Sequence, residues 1–504
     1  MTLHSVSIVA IFICYLSFML TIGAVFYRRT ENMSDYFLGD RKLNKWVASL
    51  SAQASDMSGW LLLGLPGAAY LGGLSASWIA LGLTIGTYLN WRFVAKRLRQ
   101  YTAVSQGIIT LSDYLEHRFR DGSKLLRLVS ALFILIFFLI YTSSGFVAGG
   151  KLFSTVFDVP YTNALILGAL VVVSYTFLGG FNAVCWTDFF QGTLMFFAIV
   201  LVPIAGVMAA GGPGAVAQTL EAVDPKFFSL FGSSDGAGAA AVMIAVVSSM
   251  AWGLGYFGQP HILVRFMAIR SPEQIKDARR IAMVWVVISL AAAVAVGIVG
   301  RAYLAPALEG CDAEKVFIVM VTQMFPMVVA GVFLAAILAA IMSTADSQLL
   351  VTTSAITEDF YKALVRKNAS DRELVWVSRF TVVGVAVVAL AFALNPESSV
   401  LDIVAYAWAG FGAAFGPTII LSLFWRRMTR SGALAGMLVG GLTVLIWKQL
   451  EGGVFDLYEI VPGFFFSSIA IAAVSLCTRP PSPEIIEEFN SIDAHSPTIP
   501  LKTD

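Results

Sequence analysis

The sequence predicts an all-α, polytopic membrane protein with about 13 transmembrane helices, its N-terminus outside and its C-terminus inside. Three observations lead there. Apolar runs of about 20 residues recur along the whole chain, each long enough at ~1.5 Å per residue to cross a bilayer. Of the 504 residues, 58% are hydrophobic and only 13% charged, and mean hydropathy is +0.79, as expected of a chain solvated mainly by lipid. Lys and Arg are unevenly spread: Lys151, Lys226, Arg301, Lys315 and Lys448 alone fall on one side of the alternating spans, leaving 28 of 33 on the other. Positive charge collects on the cytoplasmic side, which sets the orientation.

The spans are expected at 5–27, 46–71, 74–95, 126–150, 161–180, 186–210, 239–264, 281–303, 316–350, 374–394, 399–425, 431–450 and 457–477. The first reads as an anchor and not a cleavable leader, because no Lys or Arg precedes it while Arg28 and Arg29 follow. Residues 1–45 comprise that helix and an inner loop, and 46–210 a first group of five spans. A Gly- and Ala-rich outer loop follows at 211–238, then a second group of five at 239–430 and two further helices at 431–478. The inner tail, 479–504, is polar, contains Pro480, Pro481 and Pro483, and is expected to be flexible. The longest polar inner connection, 92–125, is expected to carry a short surface helix at Leu111–Arg118. Because five is odd, two consecutive groups of five cross the bilayer in opposite senses, as an inverted repeat requires.

Each group opens on a span that cannot stay helical. In the first, the stretch from Ser51 to Trp60 puts Asp56 among small and hydroxylated residues, and Gly59 with Pro66-Gly67 weakens the helix beyond it. A carboxylate at mid-span costs about 2.5–3.5 kcal/mol. Irregular backbone at membrane depth is tolerated only against protein, water or an ion. An acid, hydroxyls and unwound carbonyls together suit a small cation, so Asp56 is a candidate ion-site residue. The second group opens on Trp252 to His261, whose three glycines and one proline exclude a regular helix. Trp252 and Tyr256 are candidates for lining a ligand pocket. The GxGxxG spacing here has neither a strand before it nor a soluble helix after it, so a dinucleotide site is rejected.

In span nine Ser343, Asp346 and Ser347 share one helical face, with Thr344 beside them. Their hydroxyls either bond their own helix or face a ligand. Asp188 either sits at a helix start for electrostatic reasons alone or meets Asp346. Two carboxylates with no Lys or Arg in their own spans need a shared positive charge, and Asp188, Asp346 and Ser347 are candidates for a second cation position. Tyr141, near Ser143 and Ser144, either reaches a polar cavity or packs. Gly82xxxGly86 reads as a close helix contact.

Other classes are disfavoured. A net charge of +1 leaves no footprint for nucleic acid, and Cys14, Cys185, Cys311 and Cys477 lack metal or redox spacing. No nucleophile–base constellation suggests an enzyme. No repeated carbonyl-lined filter suggests a channel. Nothing in the sequence indicates an obligate protein partner.

Ser55-Asp56-Met57-Ser58-Gly59-Trp60-Leu61-Leu62 with Gly64-Leu65-Pro66-Gly67 resembles the sodium/solute symporter family, in its bacterial sodium/proline branch. The runs Trp252 to His261, Ala339 to Thr344, Ile356-Thr357-Glu358-Asp359 and Tyr406 to Ala413 resemble the same group. The likeness covers nearly all the chain, with 211–238 and the tail as exceptions. It implies a LeuT-type inverted repeat of five plus five helices, one extra helix before and two after, in the bacterial plasma (inner) membrane. It implies import of L-proline coupled to Na⁺ by alternating access, with the lipid bilayer as the other partner. Na⁺ would meet the carbonyls of Ala54, Met57 and Ala340 and the hydroxyls of Ser343 and Thr344, supported by Asp56 and Ser58. Arg41 would lie at the inner end of the same helix. Substrate would meet Trp252, Tyr256 and Pro260 on one broken helix, Tyr141 across the cavity, and Ser55 and Gly59 on the other. Asp346 departs from some members, where an uncharged residue can stand.

Overall fold

The computed structural model describes residues 3–27, 37–104, 108–176, 180–231 and 238–494. Among these every regular segment is helical, apart from an isolated parallel bridge between Leu43 and Ile269. Arg28, Arg29, Lys502 and the stretch 495–504 lie outside the described residues.

Helix α1 (Leu3–Tyr27) is followed by α2 (Lys45–Asp56), α3 (Leu65–Gly72), α4 (Ser77–Leu89) and α5 (Ala95–Val104). The surface helix α6 (Leu111–Arg118) forms where expected, and Thr110 and Asp113 close a reciprocal capping box at its start. Then come α7 (Leu125–Phe157), α8 (Tyr161–Thr176), α9 (Phe181–Ala209) and the short α10 (Pro213–Val223). The second half runs α11 (Ala239–Met250), α12 (Pro260–Ala268), α13 (Ile275–Tyr303), α14 (Val316–Met324), α15 (Met327–Ser354), α16 (Asp371–Phe392) and α17 (Val400–Phe424). Helices α18 (Arg430–Trp447), α19 (Ile460–Cys477) and α20 (Pro483–Ala494) complete it.

Eleven helices among the described residues are long and apolar enough to span a membrane, against the thirteen expected. Two local causes account for the difference. The break after Asp56 leaves α2 too short to count alone, so the second expected span is counted together with the third, from which Gly73, at φ +62° and ψ −141°, separates it between α3 and α4. The fifth expected span has an apolar core of only Tyr161–Ser174. The ninth is also divided, because Pro326 cannot donate a helical hydrogen bond and separates α14 from α15.

Large apolar side chains remain on the outer surface, among them Met208, Val328, Phe380 and Phe465, as on a surface that lipid covers. The two ends of the bundle are tied differently. At one end arginines bind backbone carbonyls across helices: Arg41 to Thr102 and Ile108, Arg99 to Ile269 and Arg270, Arg97 to Leu423, and Arg118 to Ser422. At the other, buried Lys151 pairs with Glu314 (2.5 Å), whose carboxylate also accepts from the amides of Val400 and Leu401 at the start of α17.

The tail differs from expectation. Its residues Pro483–Ala494 form α20, which docks Phe489 between the guanidinium groups of Arg97 and Arg118, 5.1 and 4.9 Å from the ring. Arg120 pairs with Glu484 and Glu488 on the same helix. Three prolines end one helix and start the next; the apolar face after them finds a partner.

Candidate functional site

Both broken spans and α15 meet at one place. Asn44 caps α2 by accepting from the amides of Trp46 and Val47, and the helix ends at Asp56. Its end is set by Ser58, whose amide turns back to Asp56 O (3.1 Å) instead of serving Ala54 O four residues earlier. The Ala54 carbonyl instead accepts from Ser343 Oγ at 2.7 Å and Thr344 Oγ1 at 3.4 Å, both on α15. Ser343 Oγ also lies 3.2 Å from Ala340 O in its own helix, so it bonds both its own helix and the end of α2. Met57 caps the helix with φ −87° and ψ 77°, and Ala54, Met57 and Ala340 are fully buried. The arrangement is a cluster of oxygen donors from two helices, the chemistry a small hard cation requires.

Asp56 sits beside that cluster with no exposed surface. Its Oδ2 accepts from the Tyr256 hydroxyl at 2.6 Å, and its main-chain oxygen accepts from Tyr141 OH (3.2 Å) and Trp60 Nε1 (3.1 Å). Oδ1 is buried without a partner. Ser58 Oγ accepts from the Trp60 amide at 3.4 Å, and Ser55 turns to Ala52 O in its own helix. Gly59 lets α7 approach: a Cβ there would stand 2.8 Å from the Ala148 methyl.

The second break is a run of 3₁₀ turns, Ala251–Gly258, followed by Gln259 in an extended conformation and α12 beginning at Pro260. Trp252 lies 6.2 Å from Trp60 and 5.7 Å from Tyr458, ring to ring. Tyr256 meets Trp408 edge-on at 5.0 Å. An aromatic wall thus surrounds Asp56. Pro260, directly after the break, also lines a small cavity of about 20 Å³ with Phe37, Phe181, Val264, Leu350 and Asp359, toward the arginine-rich end.

Asp188, Asp346 and Ser347 do come together, with a cation that the sequence reading put in a loop. Arg265, counted there among the inner-surface charges, is fully buried in α12. Its Nη2 lies 3.2 Å from Asp188 Oδ2 and 2.5 Å from Ser347 Oγ, its Nε donates to Ser51 (3.1 Å), and Ser51 donates to Asp188 (2.7 Å). A buried guanidinium is tolerated when paired in this way. Neither carboxylate oxygen of Asp346 has a hydrogen-bond partner. Arg41 stands before α2, where burial and the charge of Arg99 lower its guanidinium to about 10, still cationic at neutral pH.

Sequence reasoning also missed Asn90, Gln259 and Trp408, which touch the second break. Asn90 had a signal, an amide near the end of an apolar run, but it was absorbed into the inner flank of its span.

A family model described as the sodium:solute symporter family matches residues 36–440. The chain belongs to the sodium:solute symporter family. Relatives agree in detail: the chain is 51% identical over 494 residues to a sodium/proline symporter of Escherichia coli (strain K12), covering 97% of each. It is 49% identical over 474 residues to the high-affinity proline transporter PutP of Bacillus subtilis (strain 168), covering 94% of this chain and 98% of that one. Among solved structures, a Na⁺-coupled sialic acid symporter in a substrate-bound outward-open state superimposes with a TM-score of 0.77 at 20% identity, covering 94% and 99% of the two chains. That likeness establishes the all-helical symporter fold. No covalent chemistry is required of such a symporter.

Proposed function

We propose that this symporter imports L-proline together with Na⁺ across a bacterial plasma membrane by alternating access. The observation that carries the reading is the junction at Asp56. There the carbonyl released by one broken helix meets two hydroxyls of α15, and the adjacent carboxylate holds a tyrosine of the other broken helix. Na⁺ is assigned to the carbonyls of Ala54, Met57 and Ala340 with Ser343 and Thr344, and Asp56 and Ser58 support it. Proline is assigned to the aromatic side, among Trp252, Tyr256 and Tyr141, with Ser55 and Gly59 lining the first helix. Pro260, at the start of α12, is assigned to the same substrate set.

Coupling follows from differential affinity: each ligand must bind one state better than the other. Na⁺ draws α2 and α15 together around shared oxygens, which fixes Asp56 and through it Tyr256. Proline then completes a wall already formed, and by linkage it raises Na⁺ affinity by the same factor. A potential of about 100 mV contributes roughly 2.3 kcal/mol per charge moved inward.

The proposed architecture is an inverted repeat, α2–α9 against α11–α17, preceded by α1 and followed by α18 and α19, with the N-terminus outside. The arginine-rich end is then cytoplasmic. A second cation, if bound, is assigned to Asp346, since Arg265 already serves Asp188. Uptake of labelled proline by reconstituted vesicles tests the function. Accumulation driven by an inward Na⁺ gradient is expected, and equal uptake with K⁺ replacing Na⁺ would refute it.

A further inference from the structure

The second broken helix needs donors that its own backbone cannot supply. In an α-helix the carbonyl of Tyr256 would accept from the amide of residue 260, but that residue is proline and has no N–H. A buried carbonyl left unpaired is costly. Tyr256 instead lies in a run of 3₁₀ turns, and Asn90 gives its carbonyl a side-chain donor there: its Nδ2 lies 2.9 Å from Tyr256 O. Two other side chains serve the same break. Gln259 Nε2 reaches Gly255 O (3.2 Å) and Trp408 O (3.4 Å), and Trp408 Nε1 donates to Trp252 O (2.8 Å).

Three features mark Asn90 as more than a convenient partner. It opens a π turn, Asn90–Val94, that interrupts the helix from α4 to α5, and such wide turns are frequent at functional sites. Its Oδ1 is buried without a partner, a cost retained while Nδ2 is spent on Tyr256. Its register is also held by backbone contact. A Cβ on Gly86, one turn earlier, would lie 2.2 Å from Gly253 O, so α4 and the 3₁₀ run touch main chain to main chain. The same Tyr256 whose carbonyl Asn90 holds donates its hydroxyl to Asp56 at 2.6 Å.

We infer that Asn90 is a positioning residue for transport: it holds the Tyr256 carbonyl where Pro260 offers no amide to continue the turns as an α-helix, fixes the Tyr256 backbone, and thereby sets the phenol on Asp56. Asn90 is assigned to neither ligand. It acts through Tyr256, with Gln259 and Trp408 holding the two flanking carbonyls. The inference rests on the Na⁺/proline reading given above.

The test is proline uptake by full-length protein in vesicles, with rates normalised to transporter abundance. Asn90→Leu is expected to raise the half-saturating concentrations of proline and Na⁺ by roughly tenfold, the size of effect expected when a buried carbonyl loses its donor. In a Tyr256→Phe background, which has lost the phenol hydroxyl, the same change should add little. Unchanged half-saturation in Asn90→Leu, or effects of the two substitutions that multiply fully, would overturn the inference. A purely structural Asn90 would lower abundance and leave both concentrations alone. Should Asn90→Leu not reach the membrane, Asn90→Ser, smaller and still polar, is read by the same criteria. Wild-type vesicles run in parallel separate the two failures: no Na⁺-dependent uptake there would sink the functional reading, and normal uptake with an indifferent Asn90 would sink this one.

Discussion

Asp56 has one carboxylate oxygen bound to Tyr256 and one with no partner, and it stands next to the carbonyl of Ala54 that the helix end releases. Asp56→Asn keeps the shape but removes the charge. It is expected to abolish most Na⁺-dependent uptake while leaving normal amounts of protein in the membrane; wild-type Na⁺ dependence in the variant would remove Asp56 from the ion site. Ser343→Ala with Thr344→Ala deletes two oxygen donors. It should raise the Na⁺ needed for half-maximal uptake by about a hundredfold or more, since a polar contact to a charged group contributes roughly 1.5–3 kcal/mol and two are lost. Proline affinity at saturating Na⁺ should change far less, and titration of uptake against Na⁺ checks both. These residues were legible because a carboxylate and clustered hydroxyls inside apolar runs are conspicuous. Arg265 was not, because a basic residue near a span end looks like an inner anchor until the fold carries it to Asp188.

At the scale of elements, both breaks could be read from composition: small residues and Gly around Asp56, three Gly and a Pro around Tyr256. What satisfies them could not, because Asn90 and Trp408 are far away in sequence and arrive only through packing. Trp252 packs between Trp60 and Tyr458, tilted to both rings. Trp252→Ala is expected to weaken proline affinity and widen the range of accepted amino acids, without a primary change in Na⁺ requirement. Competition of labelled proline by other small zwitterions measures this. The tail was misread, since polarity and prolines hid the one aromatic that anchors it. Phe489 between two guanidinium groups gains about 0.5–1 kcal/mol from each. Phe489→Ala should therefore open α20 roughly five- to thirtyfold more often. A glutamate-specific protease applied to the inner face should cut such a variant at Glu487 or Glu488 correspondingly faster, and equal cutting rates would contradict the docked geometry.

For the whole molecule, hydropathy was enough for the class, while the number of spans was blurred by the break after Asp56 and by the short apolar core of Tyr161–Ser174. Orientation rests on the Lys and Arg bias and can be read with native thiols. Cys311 is exposed beside the Lys151–Glu314 end, and Cys185 is buried. A membrane-impermeant maleimide added to intact cells should label Cys311, and labelling only after the cells are opened would reverse the topology. The central claim is that Na⁺ at the junction and proline at the aromatic wall are linked through Asp56 and Tyr256. It is tested most directly by equilibrium binding of labelled proline to the purified symporter over a range of Na⁺, paired with Na⁺ binding over a range of proline. The expected result is that each ligand tightens the other by the same factor, and that Asp56→Asn removes the effect. Proline affinity that is the same with and without Na⁺ would contradict it.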